Sequence, residues 1–321
     1  MPPIAFPSIA ALALLLLAGA PPDETITVAA DRLSKAQARK AAGTYVKAGL
    51  PSIPDYGQYA RWRGPLCIGV LGIPDKALAA RVQGRIAAAA VDAGLATGKA
   101  GCRPNLTVAF TDDARGLVAE VRARKRSALP AFEPRLFAAL DSPRLPVRWW
   151  HVLAPTGAGG GVGTPDSGAL ASASSNATQL GNVLPAGPNA VGTNSWNSSL
   201  IDTNLSVWAR AGVAVVDVNL ATGVSLDALA DYVALVMIAP MRMPLGSPGV
   251  PSVLSLFEPG AKPAGLTSWD RAFIKGLYRI QMNRSAQRQR QQLLSAMAAE
   301  LAPDAATEAD AQDDDPQTPQ P

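Results

Sequence analysis

Asp227 and Asp231 stand four residues apart in "LDALADYVALVMIAP", so a helix would set both carboxylates on one face. Two carboxylates held together can divide the work of general acid and general base, as they do in glycoside hydrolysis. Asp112 with Asp113, and Asp202 with Asp217, offer two further pairs. Such chemistry needs a cleft and a carboxyl separation of about 5–10 Å. Helix capping accounts for some of the same residues, because Asp112, Asp113 and Asp227 fall where helices start and the dipole favours negative charge.

Other reactive types are scarce. The chain has one histidine, His151, in "RWWHV" beside Trp149 and Trp150, and a packed ring is the simpler reading of it. Zinc sites draw on several His or Cys donors, and no such set is present. No G-x-S-x-G elbow accompanies His151 to make a nucleophilic triad. The run "GAGGGVG" (157–163) lacks the Gly-Lys-Ser/Thr that completes a phosphate loop. No cofactor and no metal are expected. The two cysteines, Cys67 and Cys102, have neither a CxxC partner nor a histidine nearby, so one structural disulfide is expected. It would close a 35-residue loop, worth about 3–4 kcal/mol on the chain-entropy view.

The elements that must position these residues can be placed by period. A helix of mixed polarity runs over 31–50. A strand over 66–73 is followed by a helix over 75–95 with Leu78, Val82, Ile86 and Val91 inward. A second strand (105–110), a helix (112–125) and a third strand (146–153) continue the alternation. The segments around Arg210-Ala211-Gly212 suggest a hairpin with Leu205, Val207, Val213, Val215 and Val218 among its core candidates. Ser225 caps a core helix over 226–239 that Pro240 stops. A short apolar turn or helix follows at 252–257, then a helix capped by Thr267 or Ser268, and a last helix over 285–301. The fold class expected is α/β (α+β), a mixed, partly parallel sheet with covering helices. A single domain spans 65–282, with an N-terminal helix and loop over 21–64 and a C-terminal helix over 283–302. Residues 155–198, rich in Gly, Ser, Ala, Asn and Thr and containing Trp196, read as a long surface insertion. The Pro-rich acidic tail, 303–321, reads as disordered.

The N-terminus supplies an address. Ile9–Ala20 is an apolar run too short to span a bilayer, and Ala18-Gly19-Ala20 suits signal cleavage near Ala20. A secreted or periplasmic chain without a transmembrane span is expected. Seven of the 25 acidic residues and none of the 29 basic ones lie from Glu300 onward, so residues 1–299 hold 29 bases against 18 acids. That basic body favours anionic partners. With aromatics at only 5%, no base-stacking platform is expected, and nucleic acid is not a partner.

The order strand, helix, strand, helix, strands, core helix, Met-containing turn and closing "LTSWDRAFIKGLY" resembles the zincin metallopeptidase fold, its metzincin branch above all. That family's closing helix often reads Leu-Ser/Thr-x-x-Asp-x-x-x-Ile-x-x-Leu-Tyr, matched here by Leu266, Thr267, Asp270, Ile274, Leu277 and Tyr278. Met241 or Met243 would stand at the Met-turn. On the core helix the family's HExxH histidine, glutamate and second histidine fall on Asp231, Tyr232 and Leu235. Leucine cannot bind zinc and tyrosine cannot serve as the carboxylate base, so the resemblance implies a domain without its catalytic centre. The function expected is a non-catalytic, zincin-like binding or structural domain of the cell envelope, with an envelope protein or polymer as partner. The alternative is a carboxylate-dependent hydrolase of an envelope polymer. Asp227, Asp231 and Tyr232 are the candidate site residues.

Overall fold

A computed structural model describes residues 33–50, 57–124, 129, 134–157, 203, 205–260 and 262–302. The expected signal segment, Trp196, Asp202, most of the insertion and the acidic tail lie outside these residues. The elements are α1 (Lys35–Gly49), β1 (Arg61–Trp62), β2 (Ile68–Leu71), α2 (Lys76–Asp92), β3 (Leu106–Thr111), α3 (Ala114–Arg124) and α4 (Pro134–Leu140). They continue with β4 (Val147–Gly157), β5 (Leu205–Asp217), α5 (Leu226–Ile238), a 3₁₀ turn (Val253–Ser255), α6 (Ser268–Arg279) and α7 (Ala286–Leu301).

The fold is mixed α/β with a mostly parallel sheet and covering helices. β5 is its axis. β4 runs antiparallel along one edge of β5 over nearly its whole length, from Val147↔Val216 to Gly157↔Leu205. The other edge is shared by two parallel partners, β3 opposite Gly212–Asp217 and β1 opposite Trp208 and Ala209. β2 extends the sheet beyond β3, also in parallel. The closed ladder Leu106, Val108 and Phe110 turns one face of β3 into the core, with Thr107, Ala109 and Thr111 between them.

Local chemistry sets the helix ends. Ser34 and Gln37 form a capping box for α1, Asp75 accepts from the N–H groups of Ala77 and Leu78 at the start of α2, and Ser225 accepts from Ala228 N at the start of α5. Every residue of α5 from Ala228 to Ile238 is buried, Asp231 included. α1 and α7 share this core through Ala42, Tyr45, Val46, Leu293 and Met297. The disulfide Cys67–Cys102 forms, with Sγ–Sγ 2.01 Å and Cα–Cα 6.0 Å. Among the described residues no helix is long and apolar enough to cross a membrane.

Four expectations are corrected. No hairpin turns at Arg210–Gly212. The register against β4 shifts between Val152 and Leu153, where Ala211 and Ala209 are the partners, so Arg210 is the extra residue of a β-bulge in one continuous strand. The insertion does not begin at Pro155: β4 continues through Pro155 and Thr156, opposite Val207 and Ser206, and an edge strand tolerates proline. In α2 the buried stripe is Val82, Ile86, Ala89 and Ala90, while Leu78 and Val91 are exposed, because the small alanines allow the closest approach. Val218, just past β5, is exposed as well. α4 was not expected; Arg148, buried on β4, secures the turn after it by donating to the carbonyls of Leu140, Ser142 and Leu145 at 2.9, 2.6 and 2.7 Å.

Candidate functional site

The helical spacing does place Asp227 and Asp231 on one face of α5, and that face meets α2. Arg81 Nε and Nη2 donate to the two oxygens of Asp227, each at 2.7 Å. One turn on, Arg85 Nε and Nη2 donate to Asp231 at 2.9 and 2.6 Å. Both pairs span 146 residues, so α2 and α5 run in the same direction where they touch. Arg85 Nη1 also lies 3.5 Å from Asp227, which links the pairs into a ladder. The hydrogen bonds from Arg81, supported by the nearby Arg85 charge, hold the Asp227 carboxyl below its ordinary range. Asp231 is the more buried carboxylate, 5% exposed at its side chain, and also accepts from Leu266 N at 2.9 Å. Gly265 permits that approach: a Cβ there would stand 2.4 Å from Asp231 Oδ2. Both carboxylates are thus engaged by guanidinium groups on two oxygens each, Asp227 by Arg81 and Asp231 by Arg85.

Tyr232 points elsewhere. Its ring meets Trp149 and Phe257 edge to face, with centroids 6.2 and 5.2 Å apart, and burial pushes its phenol above the usual value. Leu235 is wholly buried. These three positions therefore do not fit a zinc ion: the one carboxylate is matched by Arg85 and Leu266, the phenol sits in an aromatic cluster, and the third side chain has no donor atom. Among the described residues no three His, Cys, Asp or Glu side chains gather as metal ligands would.

Of the other candidate carboxylates, Asp217 and Asp113 are local caps, while the Asp112 carboxylate meets only the Thr111 hydroxyl among the described residues, at 3.4 Å. Asp217 accepts from the N–H groups of Asn219 and Leu220 at 3.2 Å, which turns the chain after β5. Asp113 accepts from Gly116 N at 2.8 Å at the start of α3, the position expected of it. His151 is buried on β4 opposite Gly212, and its Nε2 lies 3.0 Å from the Met237 carbonyl, so this nitrogen carries the proton. Burial lowers its pKa to about 4, and the imidazole is neutral at physiological pH.

The end of α5 gathers donors that sequence reasoning missed. Pro240 stops the helix and leaves its last carbonyls without intrahelical partners. Trp62 Nε1 and His151 Nε2 both reach Met237 O, at 2.8 and 3.0 Å, and Tyr278 Oη donates to Ile238 O at 2.8 Å. Trp149 Nε1 reaches Met241 O at 2.9 Å. Aromatic residues from β1, β4 and α6 thus hold the helix end by their polar tips. Only the apolar context of the "RWR", "RWWH" and "GLY" stretches hints at this in the sequence.

On the far side of β1, a groove of about 620 Å³ is bordered by Arg61, Arg63, Trp208 and Tyr278. It contains none of the three candidate residues.

These features define a mixed α/β domain whose core helix is tied down by charge and by aromatic donors. No known protein family, curated protein or solved structure matches the chain.

Proposed function

We propose that this chain is an exported, non-catalytic domain of zincin-like shape, acting in the cell envelope by binding rather than by bond cleavage. The observation that carries the reading is the engagement of Asp231 by Arg85 and Leu266 N, at the helix position where a metallopeptidase would hold its first zinc ligand. A carboxylate so matched gives up a strong ion pair before it can coordinate a metal. Tyr232 and Leu235 supply neither a base nor a ligand beside it. The apolar run at 9–20 and the disulfide between Cys67 and Cys102 suit an oxidising compartment outside the cytoplasm.

The test is the metal content and the hydrolytic activity of protein recovered from the envelope or medium. The expected outcome is far less than one zinc per chain, no peptide or glycan hydrolysis, and a mature N-terminus just after Ala20. Stoichiometric zinc that a chelator removes, together with hydrolysis lost in the same step, overturns it.

A further inference from the structure

Two guanidinium groups that meet no carboxylate among the described residues come together at the groove beside β1. Arg61 and Trp208 are register partners in the parallel β1–β5 pairing, and alternation returns Arg63 to the side of Arg61. The Arg61 guanidinium lies 5.7 Å from the centre of the Trp208 ring and 5.7 Å from that of Tyr278; the Arg63 guanidinium lies 5.5 Å from Trp208. Stacking of this kind holds a long side chain in place while leaving its N–H edge free.

The other cations at the groove are already matched. Lys275 meets Asp92 and Glu300, and Arg279 meets Glu300, each at 3.3 Å. Neither Arg61 nor Arg63 meets a carboxylate among the described residues. Arg61 donates through Nη1 to the carbonyls of Leu277 and Tyr278 at the end of α6, which leaves its remaining N–H groups for the groove. Burial without a counter-charge holds this guanidinium below its ordinary pKa, a cost that an anion would relieve. Arg63 is exposed at the rim.

Two adjacent N–H forks suit a carboxylate or a phosphate, which each can grip through two oxygens. The half-buried rings of Trp208 and Tyr278 add apolar faces to this open groove of about 620 Å³. One tryptophan and one tyrosine spanned by a guanidinium do not make the row of stacking platforms that a nucleic-acid strand requires. We infer that this groove binds an acidic saccharide, its carboxylate or phosphate held between Arg61 and Arg63 and its sugar ring set against Trp208 and Tyr278. The choice of a saccharide rests on the reading of the chain as an envelope-binding domain; the anion site rests on the groove itself.

The experiment is calorimetric titration of the full chain with four polymers: polygalacturonate as a carboxylate source, poly(glycerol phosphate) as a phosphate source, neutral dextran, and a single-stranded DNA oligonucleotide. Arg63→Ala is the test variant, because Arg63 is exposed and its loss leaves no buried group unmatched; circular dichroism verifies its fold. Arg124→Ala, at an exposed pair with Glu120, is the control. The expected result is binding of at least one acidic polymer, weakened by salt, about tenfold weaker in Arg63→Ala and unchanged in Arg124→Ala, with no binding of dextran. Which acidic polymer binds identifies the anion. Failure to bind either acidic polymer, binding unaffected by Arg63→Ala, equal binding of dextran, or tighter binding of the oligonucleotide overturns the inference. Hydrolysis of a bound polymer would refute the non-catalytic reading and leave the groove standing. Unchanged affinity in Arg63→Ala without hydrolysis would do the reverse.

Discussion

The hydroxyl of Tyr45 donates to Asp270 Oδ1 at 2.6 Å across 225 residues of sequence, and neither side chain is open to solvent. Ser252 Oγ donates to the same oxygen at 2.5 Å, while Val253 N and Thr267 N donate to Oδ2 at 2.9 and 2.8 Å. No lysine or arginine pairs with this carboxylate among the described residues. Dipoles from α1, the 3₁₀ turn and the start of α6, the Thr267 hydroxyl at 2.9 Å from Oδ2 among them, take the place of a counter-ion. Burial, the Asp270 charge and the hydrogen bond to it push the Tyr45 phenol well above its usual value, so Tyr45 stays a donor at any physiological pH.

Asp270→Asn sets an amide N–H₂ against donors and should destabilise the fold by about 3 kcal/mol, whereas Tyr45→Phe removes one donor among several and should cost about 1–2 kcal/mol. Urea unfolding with an unchanged slope measures both. Equal losses, or the reverse order, would show that the carboxylate is not the hub.

The ladder between α2 and α5 makes a graded prediction. A double-mutant cycle on the exposed pair Arg81 and Asp227 should give the smaller coupling, and one on Arg85 and Asp231 the larger, about 1–3 kcal/mol, since Asp231 is nearly buried. Salt should erode the first and spare the second. Couplings of equal size and equal salt dependence would refute the difference in burial as the cause.

His151 should make stability depend on pH. Its pKa falls from 6.5 in the unfolded chain to about 4 in the fold, so below pH 6.5 the unfolded chain binds the extra proton. The stability it supports is complete above pH 6.5 and is lost as pH falls toward 4, by about 3 kcal/mol at the full shift. His151→Gln keeps a nitrogen donor for Met237 O but does not titrate. The gap in stability between wild type and this variant should narrow or change sign in favour of the variant between pH 6.5 and 4. A gap constant with pH would refute the role.

Gly212 lies where Met237, Trp62 and His151 converge, and an added Cβ would stand 2.6 Å from Met237 Cε, 3.2 Å from Trp62 and 3.3 Å from His151. Met237 can move its terminal methyl, but it is wholly buried and its neighbours are rings. Gly212→Ala should therefore destabilise by about 1–3 kcal/mol in thermal or urea unfolding. A gain in stability would show that Met237 and the two rings yield to the added methyl group and that the contacts around Gly212 are not tight.

The alternation of strand and helix periods made the parallel sheet legible, and the caps at Ser225 and Thr267 were legible because their side chains act within three residues. Cys67 and Cys102 were legible because there was no other pairing to consider. What period cannot reveal is which pairing partner a strand finds. Arg210-Ala211-Gly212 has the composition of a turn, and only β4 lying alongside shows it to be a bulge. The fate of Asp227 and Asp231 was hidden for a similar reason: spacing puts them on one face, but the arginines that meet them stand 146 residues away. Leu78 and Leu235 read alike in sequence, yet one is exposed and the other wholly enclosed.

The pairing of Gly157 with Leu205 brings the two ends of the 158–204 connection side by side at the tip of β4 and β5. For the sheet, that junction is indifferent to what is threaded through it. Loop-closure entropy rises by only about 0.6 kcal/mol for each doubling of length, so lengthening a connection that is already long costs the ladder little. The hairpin tip is therefore a natural splice point, where a lineage or an engineer can exchange one module for another without disturbing the core helix or the groove beside β1.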